Sequence, residues 1–586
     1  MNATLPAIAV LLAYAGGYFL YSKFLSEKVF RLRKEAITPA HSEKDGIDFV
    51  PTNKYVLFGH HYASIAGLAP MLGPAVAVVW GWLPALLWVT LGAIFIGCVH
   101  DFGSLVVSAR AKGQSIGAVA QGIIHPRARL LFHIIIFFLV ALAMGVFVYV
   151  IALLFSPAPS AENADIHFPQ AVTPSFGLML IAAVMGYLIY KKNASLKVLT
   201  PVGLLLLFAL IGFSSFSHYG DWLGLGYVGK EGMFRAVQIW SAVLLFYAFL
   251  ASILPVWSLL QPRDFLNSLL LYVGLIGIFA GFFVVQPDFV APATRMDVEG
   301  SPGLFPFVFI IIACGAASGF HSLVASGTTA RQLDKETDAR FIGYGGMLGE
   351  SLLGFIAVLA TTAGMASEME WGERYANWGA IQSLGPQVGV FIQGCSRFLA
   401  GIGIPLDIGA SFISVIVVSY ALTSLDSATR LLRYNIEEIG AFLHIRLLQD
   451  RYLASLLAIA SIAFFAYYEI GGKPAGLALW QLFGTTNQIL AGLALLVITV
   501  YLLKRKWAWY VSGIPMVLLL VVTIDAMVIK IQEFYNGGQD PEWPLVILGS
   551  LLLVLAVWLI VEGILAIYRY KKKGVVIEDY EVETQH

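Results

Sequence analysis

Apolar runs of about 20 residues recur along the chain and are separated by short polar connections. Each run is long enough to cross a bilayer as a helix, and the runs are continuous rather than alternating, which excludes the strands of a membrane β-barrel. The pattern predicts an all-α polytopic membrane protein with about fifteen transmembrane helices. A further half-helix or surface segment is predicted at 388–404. The runs lie near 4–22, 58–79, 83–108, 130–153, 174–190, 199–216, 236–258, 266–285, 303–326, 341–365, 405–429, 451–467, 475–503, 509–530 and 544–568.

The connections between these runs alternate in charge. One set is rich in Lys and Arg, whereas the other is acidic, neutral or mixed. Because basic connections face the cytoplasm, the amino terminus is predicted to lie outside the cell and the carboxyl terminus inside it. The basic set includes 23–34, 110–129, 191–197, Arg263, 331–340, 430–433, 504–506 and 569–573, and the other set comprises 156–174, 286–302, 366–387 and 531–544.

Composition narrows the possible functions. Of the 586 residues, 59% are hydrophobic and 12% are charged, against roughly 25% charged in a soluble domain. The 36 Lys and Arg balance the 36 Asp and Glu, so no basic excess is present to bind nucleic acid. Cys98, Cys314 and Cys395 lie too far apart for a disulfide framework or a paired-cysteine metal site. No nucleotide-binding loop or hydrolase motif is present, so we expect no enzyme, cofactor or metal, and transport driven by an ion gradient.

One transmembrane run is predicted to be broken. Residues 58–74 read FGHHYASIAGLAPMLGP, and Gly67, Pro70 and Gly73 fall close together within them. Such a density of helix breakers favours two half-helices over the alternative, a simple proline kink. Unwound backbone at membrane depth is tolerated only against protein or a water-filled cavity. We therefore predict a substrate site at this break, with His60 and His61 at its cytoplasmic side.

A second break is predicted at 254–263, where Pro255 and Pro262 occur in a run of opposite direction. Two breaks on oppositely directed runs suggest an inverted pair of five-helix units. The predicted organisation is a helix and a basic segment, the first repeat, the second repeat, additional helices and a cytoplasmic tail, at 1–57, 58–216, 236–430, 431–568 and 569–586.

Ionisable side chains occur inside several apolar runs. His100 and Asp101 lie in one run and His321 in another, at a depth comparable with that of His60 and His61. Because an ionisable group inside a membrane is costly, each needs a partner or a purpose. A histidine and carboxylate cluster can relay protons, so Asp101, His100 and His321 are predicted to do so. Local capping and backbone hydrogen bonds are the alternative, and a metal site is disfavoured because no metal-ligand spacing is present.

Hydroxyl side chains follow His321 in the stretch SLVASGTTARQL. Ser326, Thr328 and Thr329 surround a glycine and offer oxygen ligands for an ion such as Na⁺. The alternative is that these hydroxyls bond to the preceding helical turn. Two simpler predictions concern later runs: an ion pair between Asp426 and Arg430, one turn apart, and a helix-capping role for Asn487.

Several separate motifs make the chain similar to the carbon starvation protein A (CstA) transporters. They are the 58–74 segment, HDFGSL, CGAASGFHSLVASGTTARQL, SLDSATRLLRYNIEE and LWQLFGTTNQILAGLAL, in that order along the chain. The resemblance implies a bacterial inner-membrane carrier with a LeuT-like inverted five-helix repeat. It also implies proton-coupled uptake of peptides or, in a related branch, pyruvate during carbon starvation.

These observations predict a secondary active transporter that imports a small carboxylate-bearing nutrient with H⁺ or Na⁺ across the lipid bilayer. They leave open the choice between peptide and pyruvate, and the oligomeric state. A channel lined by the broken helices is one alternative, and a membrane nutrient sensor without transport is another.

Overall fold

The computed structural model describes residues 1–158, 167–216, 229–381, 384–470, 473–537 and 541–573. The acidic residues Glu162 and Asp165 of the predicted outer connections lie outside the described residues, and so does the predicted tail beyond Lys573. The described chain is almost entirely helical. Its strands are Glu469–Ile470 and Lys473–Pro474, which pair antiparallel.

Twelve helices in the described part of the chain are long and apolar enough to cross a membrane, or thirteen when a bent pair is counted as one span. The prediction of an all-α polytopic membrane protein is therefore confirmed, whereas the number of about fifteen helices stays a prediction. The twelve are Thr4–Val29, Trp82–Arg110, Pro126–Phe155, Pro169–Lys192, Leu196–Ser214, Glu231–Ile253, Leu260–Val285, Glu336–Thr362, Leu406–Phe442, Ala475–Lys504, Tyr510–Asn536 and Trp543–Lys572. Shorter helices include Arg451–Tyr467, Ile116–Ile123, Glu368–Arg374 and Leu384–Ala400, the last of which covers most of the predicted 388–404 segment.

Burial separates central helices from peripheral ones. In Ala475–Lys504, 94% of the most apolar window is buried, whereas in Leu196–Ser214 the buried share is 17%. The peripheral helices expose leucine and isoleucine side chains, as at Leu205 and Ile547. Such an outward apolar surface suits contact with lipid acyl chains. The central helices instead bury most of their surface against protein, and many of the polar residues of interest lie on them.

The first predicted break is confirmed. Helices Lys54–Ile65 and Ala69–Trp80 meet at a bend of 47°, and together they form the first broken helix. The break spans residues 66–68, where Ala66 leaves helical geometry with φ −79° and ψ 59°. Pro70 lies in the first turn of the second half, where the missing amide hydrogen costs no helical hydrogen bond. Gly81 adopts φ 99° and forms the turn that leads directly into Trp82–Arg110. Glycine suits this position because a Cβ here would overlap the carbonyl of Ala293.

The second break is not at 254–263, so that prediction is wrong. Residues 254–259 connect two separate helices, Gly229–Ile253 and Leu260–Val285. The connection lies against the polar segment that follows the first helix, since the Val256 amide donates to the Ile47 carbonyl at 3.1 Å. Pro255 lies in this connection and Pro262 in the first turn of the following helix, two places where proline interrupts no helical hydrogen bond.

The second break lies instead in the middle of residues 304–329, the second broken helix. Its parts are Leu304–Ile311, Ala313–Ala316, Gly319–Val324 and the wider turn Ala325–Thr329. Ala317 and Ser318 are extended, with φ −161° and −118°. The two broken helices run antiparallel, because Gly73 packs on Ile311 near one end and His61 contacts Thr329 near the other.

The first broken helix is followed by the long helix Trp82–Arg110, and the second by the long helix Glu336–Thr362. The two broken helices and these two long helices pack together, and we call the four elements the bundle. Antiparallel broken helices are typical of inverted-repeat transporters. The boundaries of the two repeats stay a prediction.

Candidate functional site

Ionisable side chains from three of the four elements of the bundle converge. His100 and Asp101 come from Trp82–Arg110, His321 from the second broken helix and Glu350 from Glu336–Thr362. Each of these side chains is fully buried. The structure thus brings together the three residues predicted as a proton relay and adds Glu350, whose role sequence reasoning missed.

The four side chains form a linear array of ionisable groups, His100–Asp101–His321–Glu350, which we call the proton chain after the role proposed for it below. His100 Nδ1 lies 2.7 Å from Asp101 Oδ1, and His321 Nδ1 lies 2.9 Å from Asp101 Oδ2. His321 Nε2 is 3.2 Å from Glu350 Oε1, but the two are not aligned for a hydrogen bond, and both Glu350 oxygens lack hydrogen-bond partners in the described chain. A buried carboxyl group without a donor is costly as an anion, so this arrangement suits reversible protonation of Glu350.

His61 lies on the side of the first broken helix that faces this chain. Its Nδ1 is 2.9 Å from Thr329 Oγ1, and its Nε2 has no hydrogen-bond partner in the described chain. The ring packs against Gly346, one helical turn before Glu350, where a Cβ would overlap the imidazole. His61 therefore links the first broken helix to the proton chain.

The hydroxyls predicted to bind an ion have protein partners. Ser326 Oγ donates to the Ser322 carbonyl at 2.5 Å and accepts from the Ile116 amide at 3.0 Å. Thr328 Oγ1 faces the preceding turn, and Thr329 contacts His61. No group of three or more His, Cys, Asp or Glu side chains in the described ranges could hold a metal ion. The Na⁺ site stays a prediction, and this geometry does not favour it.

The two breaks differ in how their backbone is satisfied. At the first break the amides of Leu68 and Ala69 have no hydrogen-bond acceptor within the described residues. At the second break Asn487 Oδ1 accepts from the Phe320 amide at 2.9 Å, and Asn487 Nδ2 donates to Ser318 Oγ at 3.0 Å. The prediction that Asn487 caps its own helix is wrong. That helix begins at Phe483, and Asn487 instead reaches across to cap the second broken helix.

The glycines and proline of the predicted substrate site have distinct positions. Gly67 lies in the first break, where a Cβ would meet the Ser424 hydroxyl. Gly73 lies against the second broken helix, where a Cβ would overlap the Ile311 carbonyl. Pro70 lies between them at the start of the half-helix. Gly73 therefore permits close packing of the two broken helices, and Gly67 lies next to the Leu68 and Ala69 amides that have no acceptor within the described residues. A substrate contact at any of these residues stays a prediction.

His60 points to the opposite side and joins a second cluster of buried charges. Its Nδ1 donates to Asp264 Oδ2 at 2.5 Å, and Arg263 Nη2 donates to Asp264 Oδ1 at 2.6 Å. Arg263 also forms an ion pair with Asp426, and Tyr247 donates to Asp426 Oδ2 at 2.5 Å. We call these five residues the latch cluster.

The predicted ion pair between Asp426 and Arg430 is therefore wrong. Arg430 Nη1 instead donates to Asp48 Oδ1 at 2.7 Å, and Arg433 Nη2 lies 3.1 Å from Asp48 Oδ2. Both arginines are buried, so their charges need partners, and Asp48 from another chain segment supplies one to each of them. Asp48 lies in the connection between two spans. Burial there raises its pKa, but Arg433 and Arg430 outweigh burial and hold it well below its usual range.

Comparison with known proteins decides the family. The model of the carbon starvation protein CstA family matches residues 2–377 and 365–526. The chain belongs to the CstA family. A peptide transporter CstA from Campylobacter jejuni is 33% identical over 92% of this chain and 82% of its own length. The pyruvate/proton symporter BtsT from Escherichia coli is 32% identical over 92% of this chain and 84% of its own length. A peptide transporter CstA from Bacillus subtilis is 30% identical over 96% and 97%, respectively.

Among solved structures, a manganese transporter from Eremococcus coleocola is similar to this CstA family member. The similarity covers 90% of this chain and 99% of that chain, at 13% identity and a TM-score of 0.43. A likeness at this level assigns neither a fold nor a substrate.

Sequence reasoning about this CstA family member missed Glu350, Arg263 and Asp264. Glu350 had a signal, since it is an ionisable residue in an otherwise apolar run. Arg263 was placed in a basic connection and Asp264 follows it directly, yet both are buried within a span. Their position could not be recognised without locating the start of the helix that carries them.

Proposed function

We propose that this CstA family member is a secondary active transporter that imports a small carboxylate-bearing nutrient together with protons. The observation that carries the proposal is the buried proton chain His100–Asp101–His321–Glu350, which joins three elements of the bundle beside both helix breaks. The names of its relatives, peptide transporters and a pyruvate/proton symporter, agree with this class of function.

Two features favour protons over Na⁺ as the coupling ion. Imidazole and carboxyl groups exchange protons near neutral pH when burial and neighbours tune them, and the proton chain contains both. The hydroxyls that would coordinate Na⁺ are already engaged with the protein. In the proposed cycle Glu350 accepts a proton from the outer side, and His321 passes it toward Asp101.

The first break is the proposed substrate site. The free amides of Leu68 and Ala69 point out of the amino-terminal end of the half-helix Ala69–Trp80. The partial positive charge at such a helix end favours an anion, and both pyruvate and a peptide carry a carboxylate. Rocking of the four-element bundle against the remaining helices would then expose the break alternately to each side. The proposed location is the bacterial plasma membrane, with the amino terminus outside and the carboxyl terminus in the cytoplasm.

Uptake into proteoliposomes tests this proposal. Labelled pyruvate and a labelled dipeptide are offered separately under an imposed proton gradient, under an imposed sodium gradient and without any gradient. We expect saturable accumulation of one of the two when the outside is acidic, and no stimulation by sodium. Accumulation against a concentration gradient would exclude a channel. If neither compound accumulates, or if sodium alone drives uptake, the proposal is wrong.

A further inference from the structure

We propose that His60 and Asp264 form a second proton-binding site, whose proton locks the first broken helix to the helices behind it. The inference rests on the proposed function, because it assigns a coupling role to a cluster outside the proton chain. It concerns the latch cluster of His60, Tyr247, Arg263, Asp264 and Asp426.

The latch cluster joins one element of the bundle to three helices outside it. His60 lies on Lys54–Ile65, whereas Arg263 and Asp264 lie on Leu260–Val285. Asp426 lies on Leu406–Phe442 and Tyr247 on Gly229–Ile253. Movement of the first broken helix away from Leu260–Val285 must stretch the contact between His60 and Asp264.

The charges of the latch cluster balance only when His60 carries a proton. Arg263 contributes one positive charge and faces two carboxylates, Asp264 and Asp426. His60, Asp264 and Asp426 are fully buried, and Arg263 is almost fully buried. A net negative charge inside the membrane is costly, and a proton on His60 would bring the net charge of the latch cluster to zero. His60 Nδ1 lies 2.5 Å from Asp264 Oδ2 and is placed to donate to it, whereas His60 Nε2 has no hydrogen-bond partner in the described chain.

Other ionisable groups face His60 from the elements around it. His61 follows it directly and points to the other side, toward the proton chain of Asp101, His321 and Glu350. The facing helix Leu260–Val285 also brings Ser268 beside Gly59, and its Asn267 bonds to Thr423. These neutral side chains do not compensate the second carboxylate.

Protonation sets how tightly the first broken helix is held. Separating a buried imidazolium from a carboxylate leaves two unpaired buried charges, which is costly. Separating a neutral imidazole from the carboxylate breaks one hydrogen bond and leaves only one of the two groups charged, which costs less. Loss of the proton from His60 therefore releases the helix. His60 and His61 together place the first broken helix between two proton sites.

Accessibility of a cysteine at Ser64 tests the lock without depending on transport. Ser64 is buried one turn after His60, and its hydroxyl meets that of Ser427 on Leu406–Phe442 at 2.8 Å. In inside-out vesicles, labelling of Ser64→Cys by a membrane-impermeant maleimide reports separation of these helices. Glu43→Cys, on an exposed connection, corrects for the pH dependence of the thiol itself. The protein with only its three buried native cysteines gives the background.

We expect corrected labelling to be about tenfold faster at about pH 8.5 than at about pH 5.5, because an imidazole ordinarily exchanges its proton between these pH values. His60→Gln should label fast at every pH, and Asp264→Asn should remove the pH dependence. Labelling that is independent of pH, or unaffected by His60→Gln, would overturn the proposal. Ser427→Cys reports the same separation from the facing helix, in case Ser64→Cys does not fold.

A further variant separates this inference from the proposed function. His321→Gln interrupts the proton chain but leaves the latch cluster intact, so it should stop proton-driven uptake and keep the pH-dependent labelling. If the parent protein shows no uptake, but its labelling still depends on pH and this dependence is lost in His60→Gln, the proposed function is wrong and the inference about His60 stands. If His321→Gln abolishes the pH dependence of labelling, the lock is not a separate site and the inference is wrong.

Discussion

The proton chain and the latch cluster lie on opposite sides of the first broken helix and use the same residue types for different tasks. In the proton chain both oxygens of Glu350 are without hydrogen-bond partners in the described chain, and the neighbouring His321 is misaligned. In the latch cluster the buried Arg263 is held by Asp264, Asp426 and Tyr247. The unpartnered oxygens of Glu350 leave that carboxyl group open to protonation, whereas in the latch cluster three partners hold Arg263 and His60 is the group proposed to exchange a proton.

The largest effect is expected at Glu350. Glu350→Gln keeps the size of the side chain but removes its proton, so proton-driven uptake in proteoliposomes should fall by about 100-fold or more. Stability should stay close to that of the parent, because no hydrogen bond to Glu350 is lost. Glu533→Gln, at a partly exposed pair with Lys530 outside both clusters, is the matched control and should leave uptake unchanged. Normal uptake by Glu350→Gln would remove this residue from coupling.

Asp426→Asn should show the opposite pattern, with a loss of stability as its main effect. The substitution leaves the buried Arg263 with one carboxylate instead of two. Breaking a buried ion pair costs about 3 to 5 kcal/mol, which thermal unfolding in detergent would detect. An unchanged melting temperature would contradict the distinction between the two clusters.

The two glycines near the first break should also differ. In Gly73→Ala the new Cβ overlaps the backbone of the second broken helix, which cannot move aside, so a loss of about 1 to 3 kcal/mol is expected. In Gly67→Ala the new Cβ meets the Ser424 hydroxyl, which can rotate away. Thermal unfolding of the two variants compares them directly. Equal losses would mean that Gly73 does not set the approach of the two helices.

Removal of the cap at the second break is expected to have an effect of similar size. Asn487→Ala leaves the buried amide of Phe320 without its acceptor, at a cost of about 1 to 3 kcal/mol. Asn487→Asp keeps an acceptor at the same place and serves as the control for thermal unfolding. If Asn487→Ala is as stable as the parent, the second break does not depend on this cap.

The smallest effect is expected from the double substitution Ser326→Ala with Thr329→Val. Because Ser326 and Thr329 bond within the protein, their removal should leave the response of uptake to sodium unchanged. The measurement is uptake at constant ionic strength with sodium replaced by choline. Uptake that sodium stimulates in the parent but not in the double variant would show that these hydroxyls do contribute to a sodium site.

Much of the membrane fold could be predicted from the sequence, because length and apolar continuity decide whether a helix crosses a bilayer. The first break was predictable for a similar local reason, the clustering of Gly67, Pro70 and Gly73. The second break was not, since Ala317 and Ser318 carry no proline signal and are held by Asn487 from a distant helix. Pro255 and Pro262 suggested a helix break that is not there, because proline also occurs in loops and in the first turn of helices.

The candidate site was predictable only in part. Asp101, His100 and His321 stood out as ionisable residues in apolar runs, and the structure brings them together. Their connection to Glu350, and the partners of His60 and Asp426, depend on how helices distant in sequence pack. Asp426 illustrates this, because the nearest cation along its helix is Arg430, yet its partner is Arg263 on another helix.

Proton movement during substrate uptake tests the central claim most directly. Proteoliposomes loaded with a pH-sensitive dye are given the transported substrate at equal pH on both sides. We predict that the lumen acidifies with the parent protein and with Glu533→Gln, and that it does not acidify with Glu350→Gln. Acidification by Glu350→Gln at the parent rate would contradict the account.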